Sequence, residues 1–271
     1  MKIYKTCKEY ADELNNNTKE FIVANNLKPT LSIYYVHSVA TDAYVRSKCK
    51  LASTLGISVK VFGYNTPPNV KDLCTMLLED DSDAIIVQRP FFSKEKDSMN
   101  LDNVIVDHKD VDGLNHNSYF IPATALGIYR YLKKCTDALD SNNTVCIIGR
   151  SPLVGKPLEK LLKEHENLTI ILLHSKTKNV SDFTKVADVV VVAVGKKDFL
   201  TKDMVKDGAL VVDVGINRGT DGKLCGDVAK DVNEIATVTL VPGGVGLLTC
   251  AMLMQNVVNA SDMSNCFGCA K

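Results

Sequence analysis

Short apolar runs alternate along almost the whole chain with stretches whose apolar positions recur every three to four residues. Runs at 31–36, 59–63, 84–88, 145–149, 168–173, 189–194 and 209–214 read as strands, being short, rich in Val, Ile and Leu, and bounded by polar residues or glycine. Segments at about 42–55, 69–79, 124–134 and 156–164 read as helices, as do the first residues to about 26 and a last segment at about 247–263. Strand and helix in turn predict an α/β fold with mainly parallel sheets. The polar loop 107–120 gives way to a helix at Pro122, which puts a domain boundary there. Residues 1–122 are expected to form one α/β domain, completed by 247–271, and 123–246 a second. The last helix would pack back on the first domain and leave a cleft between the two.

Composition narrows the range of partners. A chain of 271 residues with 45% hydrophobic positions can build two cores of ordinary size. Its formal net charge is zero, so neither nucleic acid nor an anionic membrane is favoured as a partner. The first ten residues lack the apolar stretch of a signal peptide and no later run is long enough to span a bilayer, so a cytoplasmic protein is expected. Nine scattered cysteines fit small buried side chains in a reducing compartment. Cys266 and Cys269 form the one close pair, but tetrahedral zinc needs two more ligands and nothing adjacent supplies them; no metal site is expected.

The clearest candidate chemistry lies at 145–157, Val-Cys-Ile-Ile-Gly-Arg-Ser-Pro-Leu-Val-Gly-Lys-Pro. An apolar strand ends in Gly149, turns through Arg150 and Ser151, and enters a helix opening near Pro157, a residue suited to a first helical turn. Free amides at such a helix start can receive a pyrophosphate, so 123–246 reads as a Rossmann-like dinucleotide-binding domain. Arg150 can form a charge-assisted fork with a phosphate monoester, and the second strand ends in His174, Ser175 and Lys176 where an NAD site would carry a carboxylate on the ribose 2′-OH. NADP is therefore the expected cofactor. A lone Arg capping the turn is the plainer alternative; the joint placement at two strand ends speaks against it.

Several strings then occur in a telling order: Tyr44-Val-Arg-Ser-Lys48, Val87-Gln88-Arg89-Pro90, Lys109-Asp-Val-Asp-Gly113, Gly149-Arg-Ser151, Asp213-Val-Gly-Ile-Asn217 and Val241-Pro-Gly-Gly-Val-Gly246. Over nearly its whole length the chain resembles the methylenetetrahydrofolate dehydrogenase/methenyltetrahydrofolate cyclohydrolase family of the bifunctional FolD type. The resemblance implies two domains around a folate cleft, NADP as cofactor, a folate substrate and a homodimer. It also implies roles residue by residue: Lys48, Tyr44, Gln88 and Asp112 catalytic; Tyr44, Gln88, Asp112, Pro242, Gly243 and Gly246 on the folate; Gly149, Arg150, Ser151, His174, Ser175 and Ile216 on the cofactor.

These residue types suit that chemistry. Tyr44 and Lys48 are one turn apart on one helix face, and a lysine desolvated in a cleft becomes useful for acid–base work. Without the family match, Lys48 would read as the solvated face of an amphipathic helix. Gln88 ends an apolar strand and can hold a water or an amine without taking charge. Asp112 can accept hydrogen bonds from pterin N–H donors, whereas Asp110 suits holding its own loop. Hydride loss from 5,10-methylenetetrahydrofolate gives a cation shared by two nitrogens, so the first step needs orientation; hydrolysis to 10-formyltetrahydrofolate needs proton transfers, expected at Lys48. Arg89 stands at a position that is mostly apolar in the family, where it could meet the glutamate carboxylates of the substrate. A monofunctional dehydrogenase or a catalytically silent folate-binding relative are the alternatives.

Overall fold

The computed structural model describes residues 1–92, 104–115, 117–140, 142–219 and 221–268, the side chains of 264–268 excepted. Cys269 lies outside the described residues, as does the side chain of Cys266. Two compact units divide the chain: Glu13–Ala123 with Cys250–Lys271, and Met1–Asp12 with Thr124–Thr249.

In the unit formed by 13–123 and 250–271, β1 (Thr30–Val36) lies between β2 (Ser58–Tyr64) and β3 (Ala84–Val87), all parallel. β2 and β3 are the two edge strands; every residue of β3 is buried, its outer edge bridged through Ile85 to Asp110, while β2 is mostly exposed. Tyr34 stacks on Phe62 with ring centroids 4.5 Å apart and donates to Asp80 at 2.6 Å. Leu73 and Leu77 of α3 (Val70–Glu79) close this core from the helix side. Between β1 and β2 runs α2 (Val39–Leu55), three residues longer at its start than the apolar pattern predicts. Ser38 is the reason: its side-chain oxygen accepts from Thr41 N–H at 3.1 Å, and Gly56 ends the helix in a left-handed conformation.

In the other unit α4 (Ala123–Cys135) precedes a five-stranded parallel sheet of β4 (Thr144–Ile148), β5 (Thr169–Leu173), β6 (Val189–Val192), β7 (Leu210–Asp213) and β10 (Thr237–Val238), in the order β10-β7-β6-β4-β5. The four valines of β6 are fully buried, as suits a central strand covered on both faces. α5 (Gly155–Leu162) and α6 (Val180–Thr184) lie on the connections after β4 and β5, and β8 (Asn217–Arg218) pairs antiparallel with β9 (Leu224–Cys225). The helix α1 (Cys7–Ala24) opens with a reciprocal cap: Glu9 accepts from Thr6 N–H at 2.7 Å while Thr6 accepts from Glu9 N–H at 3.2 Å. The last helix is α7 (Val245–Gly268).

The mainly parallel α/β architecture agrees with the sequence pattern. The first twelve residues differ, grouping with 124–249, whereas the pattern assigns them to the first domain. Ile3 bridges to Thr136, Tyr4 N–H donates to the Cys135 carbonyl at 2.7 Å, and Lys2 N–H donates to Asp137 at 2.9 Å. Two of those pairings are main-chain to main-chain and the third ends on a carboxylate 135 residues away, which no local side-chain pattern announces.

Candidate active site

β1 has β2 on one side and β3 on the other, so the sheet's growth reverses between β1 and β3. At such a reversal the carboxyl ends of parallel strands leave a crevice for ligands. Gln88 follows β3 directly, with its N–H on the Tyr34 carbonyl at 2.8 Å. Its side chain is held at both ends: Nε2 donates to the Arg89 carbonyl at 2.9 Å, and Oε1 accepts from Lys48 Nζ at 2.6 Å. An ammonium can only donate, so the carbonyl end of the amide must face it. Tyr44 lies one turn before Lys48 on α2 and is 37% exposed, leaving its ring open to a ligand.

A parallel bridge from Ile85 to Asp110 carries the following loop along β3 towards the same strand end. Asp110 is fully buried and holds that loop: its carboxylate accepts from Asn115 N–H at 2.7 Å and its carbonyl from the Ser118 hydroxyl at 2.8 Å. Burial pushes its carboxyl up to about 6, against the lowering effect of the Asn115 N–H. Asp112 is half-buried two residues on. One residue the pattern passed over joins them. Cys250 of α7 lies within electrostatic reach of both Lys48 and Asp112; burial pushes its thiol up, the ammonium acts against that, and the carboxylate adds to it. Its only sequence signal is its place one turn beyond the glycine loop that opens α7.

The nucleotide crevice forms in the other unit by the same rule, where the sheet grows from β4 first to β5 and then to β6. A pocket of about 460 Å³ opens there, lined by Gly149, Arg150 and Ser151 after β4, His174 and Ser175 after β5, and apolar Val180, Val194 and Phe199. Gly149 has φ +113, and a Cβ on it would strike the Ala193 carbonyl. Gly155 is as constrained: a Cβ there would run into the Gly149 carbonyl, and α5 starts at Gly155 rather than at Pro157. Ser151 accepts from Val154 N–H at 3.1 Å and holds the turn. His174 Nδ1 accepts from Lys176 N–H at 3.1 Å, which leaves Nε2 as the ring's donor. A flat adenosine fits the apolar wall and phosphate the polar turn, so these residues suit a dinucleotide.

Two buried carboxylates organise the rest of this rim. Asp227 accepts from Val194 and Gly195 N–H at 2.8 and 2.9 Å on one oxygen, and from Lys196 N–H and the Asn217 side chain, both at 2.8 Å, on the other. Asp213 accepts from the N–H groups of Asp227 at 2.9 Å and Gly215 at 3.0 Å. Gly215 and Gly226 admit them, since a Cβ on either would enter the facing carboxylate. Ile216 follows, 50% exposed. Pro242 and Gly246 are exposed and Gly243 takes φ +105 in the turn into α7.

Residues 122–265 match the family model of the tetrahydrofolate dehydrogenase/cyclohydrolase NAD(P)-binding domain. The bifunctional protein FolD of Thermotoga petrophila is 39% identical over 267 residues, spanning 94% of this chain and 97% of that one. This chain belongs to the FolD family. Among solved structures, it is similar to the FolD methylenetetrahydrofolate dehydrogenase/cyclohydrolase of Campylobacter jejuni, at TM-score 0.85 and 34% identity over 95% of this chain and 97% of that one. It is also similar to the Trypanosoma brucei enzyme complexed with NADP and an inhibitor, at TM-score 0.85 and 26% identity over 97% and 99% of the two chains. The FolD assignment made from the ordered strings therefore holds.

Proposed function

We propose that this FolD protein oxidises 5,10-methylenetetrahydrofolate to the methenyl form with NADP and hydrolyses that product to 10-formyltetrahydrofolate. The observation that carries the reading is the Lys48–Gln88 hydrogen bond at the carboxyl end of β3 in a chain of this family. Bound NADP supplies the hydride acceptor. Gly149, Arg150, Ser151, His174 and Ser175 would hold its adenosine and phosphates, and exposed Ile216 would pack on the cofactor. Pro242, Gly243 and Gly246 would meet the folate, the two glycines letting a flat ring approach the backbone.

Hydride loss leaves the bridging carbon as a cation stabilised by its own nitrogens, so the protein's part is to fix the ring. Asp112 accepts from pterin donors and Tyr44 packs on the folate. In hydrolysis, water adds to the cationic carbon and Lys48 moves the protons, its amine aimed by Gln88. A held amide positions the amine without competing for its proton. This arrangement favours the bifunctional reading over a monofunctional dehydrogenase, which has no use for a lysine so held.

Residues 13–123 with 250–271 act as the folate domain, and 1–12 with 124–249 as the NADP domain, in this reading. The chain works as a homodimer joined through edge strand β2, whose free backbone edge carries Val61 and Phe62 at 46% and 37% exposure. The seven described cysteines are free thiols, which suits the reducing cytoplasm. No described helix is long and apolar enough to cross a membrane.

Purified protein given methylenetetrahydrofolate and NADP should form NADPH and then 10-formyltetrahydrofolate. Accumulated methenyltetrahydrofolate that hydrolyses no faster than in buffer would leave only a dehydrogenase, and absence of NADPH only a binder.

A further inference from the structure

We propose that Lys196 is a specificity-determining residue for NADP, a second cation beside Arg150 for the 2′-phosphate. The inference rests on the nucleotide-binding reading above and adds a residue to it.

The pyrophosphate of a dinucleotide belongs at the start of the helix after the first strand, here the Ser151–Gly155 turn, and the adenosine ribose at the end of the second strand, here His174 and Ser175. The pocket of about 460 Å³ is the adenosine side of that arrangement, since it includes the second strand end and the apolar wall of Val180, Val194 and Phe199. Lys196 lines the same pocket, arriving from the end of β6, next to β4 in the sheet. A phosphate monoester carries nearly two negative charges, more than one guanidinium neutralises.

Two observations distinguish Lys196 from an ordinary surface lysine. Its backbone is fixed: Val194, Gly195 and Lys196 all donate to the fully buried Asp227, so the side chain leaves from a rigid base. Its ammonium is also unspent. Among the described residues no carboxylate pairs with it, whereas neighbouring Lys197 lies 3.6 Å from Asp198.

The test is binding of 2′,5′-ADP and 5′-AMP to wild type and Lys196→Met by calorimetry at low and moderate salt. Wild type should bind 2′,5′-ADP more tightly than 5′-AMP; if it does not, the nucleotide reading itself fails. Given that preference, Lys196→Met should lose about tenfold for 2′,5′-ADP and less than about twofold for 5′-AMP, with a shallower salt dependence. Lys196→Arg should recover most of the loss. An unchanged affinity for 2′,5′-ADP, or equal losses for the two nucleotides, overturns the proposal while leaving the nucleotide site intact. Thermal unfolding of the unliganded variants shows whether a loss comes from the fold instead.

Discussion

The Lys48 ammonium donates to Gln88 Oε1 at 2.6 Å, joining a helix and a strand end forty residues apart in sequence. Because Gln88 Nε2 is engaged by the Arg89 carbonyl, the amide cannot turn its donor end towards the lysine without losing both bonds. The amine is thus aimed before substrate arrives, which lowers the entropic cost of proton transfer in the hydrolytic step.

Lys48→Met should therefore lower hydrolysis of methenyltetrahydrofolate by about 100-fold or more while folate and NADP binding remain measurable. Gln88→Ala, which frees the amine without removing it, should give a smaller loss. Single-turnover hydrolysis alongside ligand titration checks both. A wild-type hydrolysis rate in Lys48→Met would make Lys48 a surface residue.

Much of this was legible in the chain because it depends on side-chain period and short spacing. The seven long strands appear where apolar runs predict them, and Tyr44 and Lys48 share a helix that the pattern starts only three residues late. What stayed hidden depends on main-chain contacts or on distance in sequence. Gly155 matters because of a carbonyl six residues earlier, Cys250 because of residues on α2 and in the loop after β3, and Asp227 because four donors converge on it. The two-residue strands β8, β9 and β10 carry too little pattern to be read at all.

Arg150→Ala should weaken NADP by about 1.5–3 kcal/mol and change NAD little, the loss expected for one charge-assisted hydrogen bond to the 2′-phosphate. Dissociation constants for the two dinucleotides decide it. Equal losses would mean that Arg150 supports the turn and does not read the phosphate.

Asp112→Asn keeps size and removes charge and one acceptor. Both activities should fall together by about 1.5–3 kcal/mol with NADP affinity nearly unchanged, because the pterin donors it serves are needed in either step. Normal folate binding with two normal rates would place the pterin elsewhere.

Asp227→Ala should destabilise the protein by about 2–4 kcal/mol, since four N–H donors lose at once the buried carboxylate that gathers them. Asp227→Asn, which can keep some of those bonds, should cost less. Urea unfolding of the two variants tests the order; a loss under about 1 kcal/mol for Asp227→Ala would mean that solvent replaces the carboxylate freely.

Asp110 gives a pH dependence whose sign is unusual for a carboxylate. Its proton is held up to about pH 6 in the folded protein, against an ordinary value of 3.8. The folded state therefore binds the proton more tightly than the unfolded chain, and its contribution is fully present below about pH 3.8 and lost as pH rises through about 6. The whole span is worth about 3 kcal/mol, of which about 1 kcal/mol falls between pH 5 and pH 7.5. Asp110→Asn cannot ionise and keeps an acceptor for the Asn115 N–H, so its stability relative to wild type should improve by that amount from pH 5 to pH 7.5. Titrating groups not coupled to Asp110 cancel in this difference, which leaves Asp112, whose charge also raises the Asp110 carboxyl, as its coupled neighbour. Urea unfolding of both proteins at the two pH values measures it, and a difference that does not change with pH would mean that Asp110 titrates as an ordinary carboxylate and that its loop is open to water.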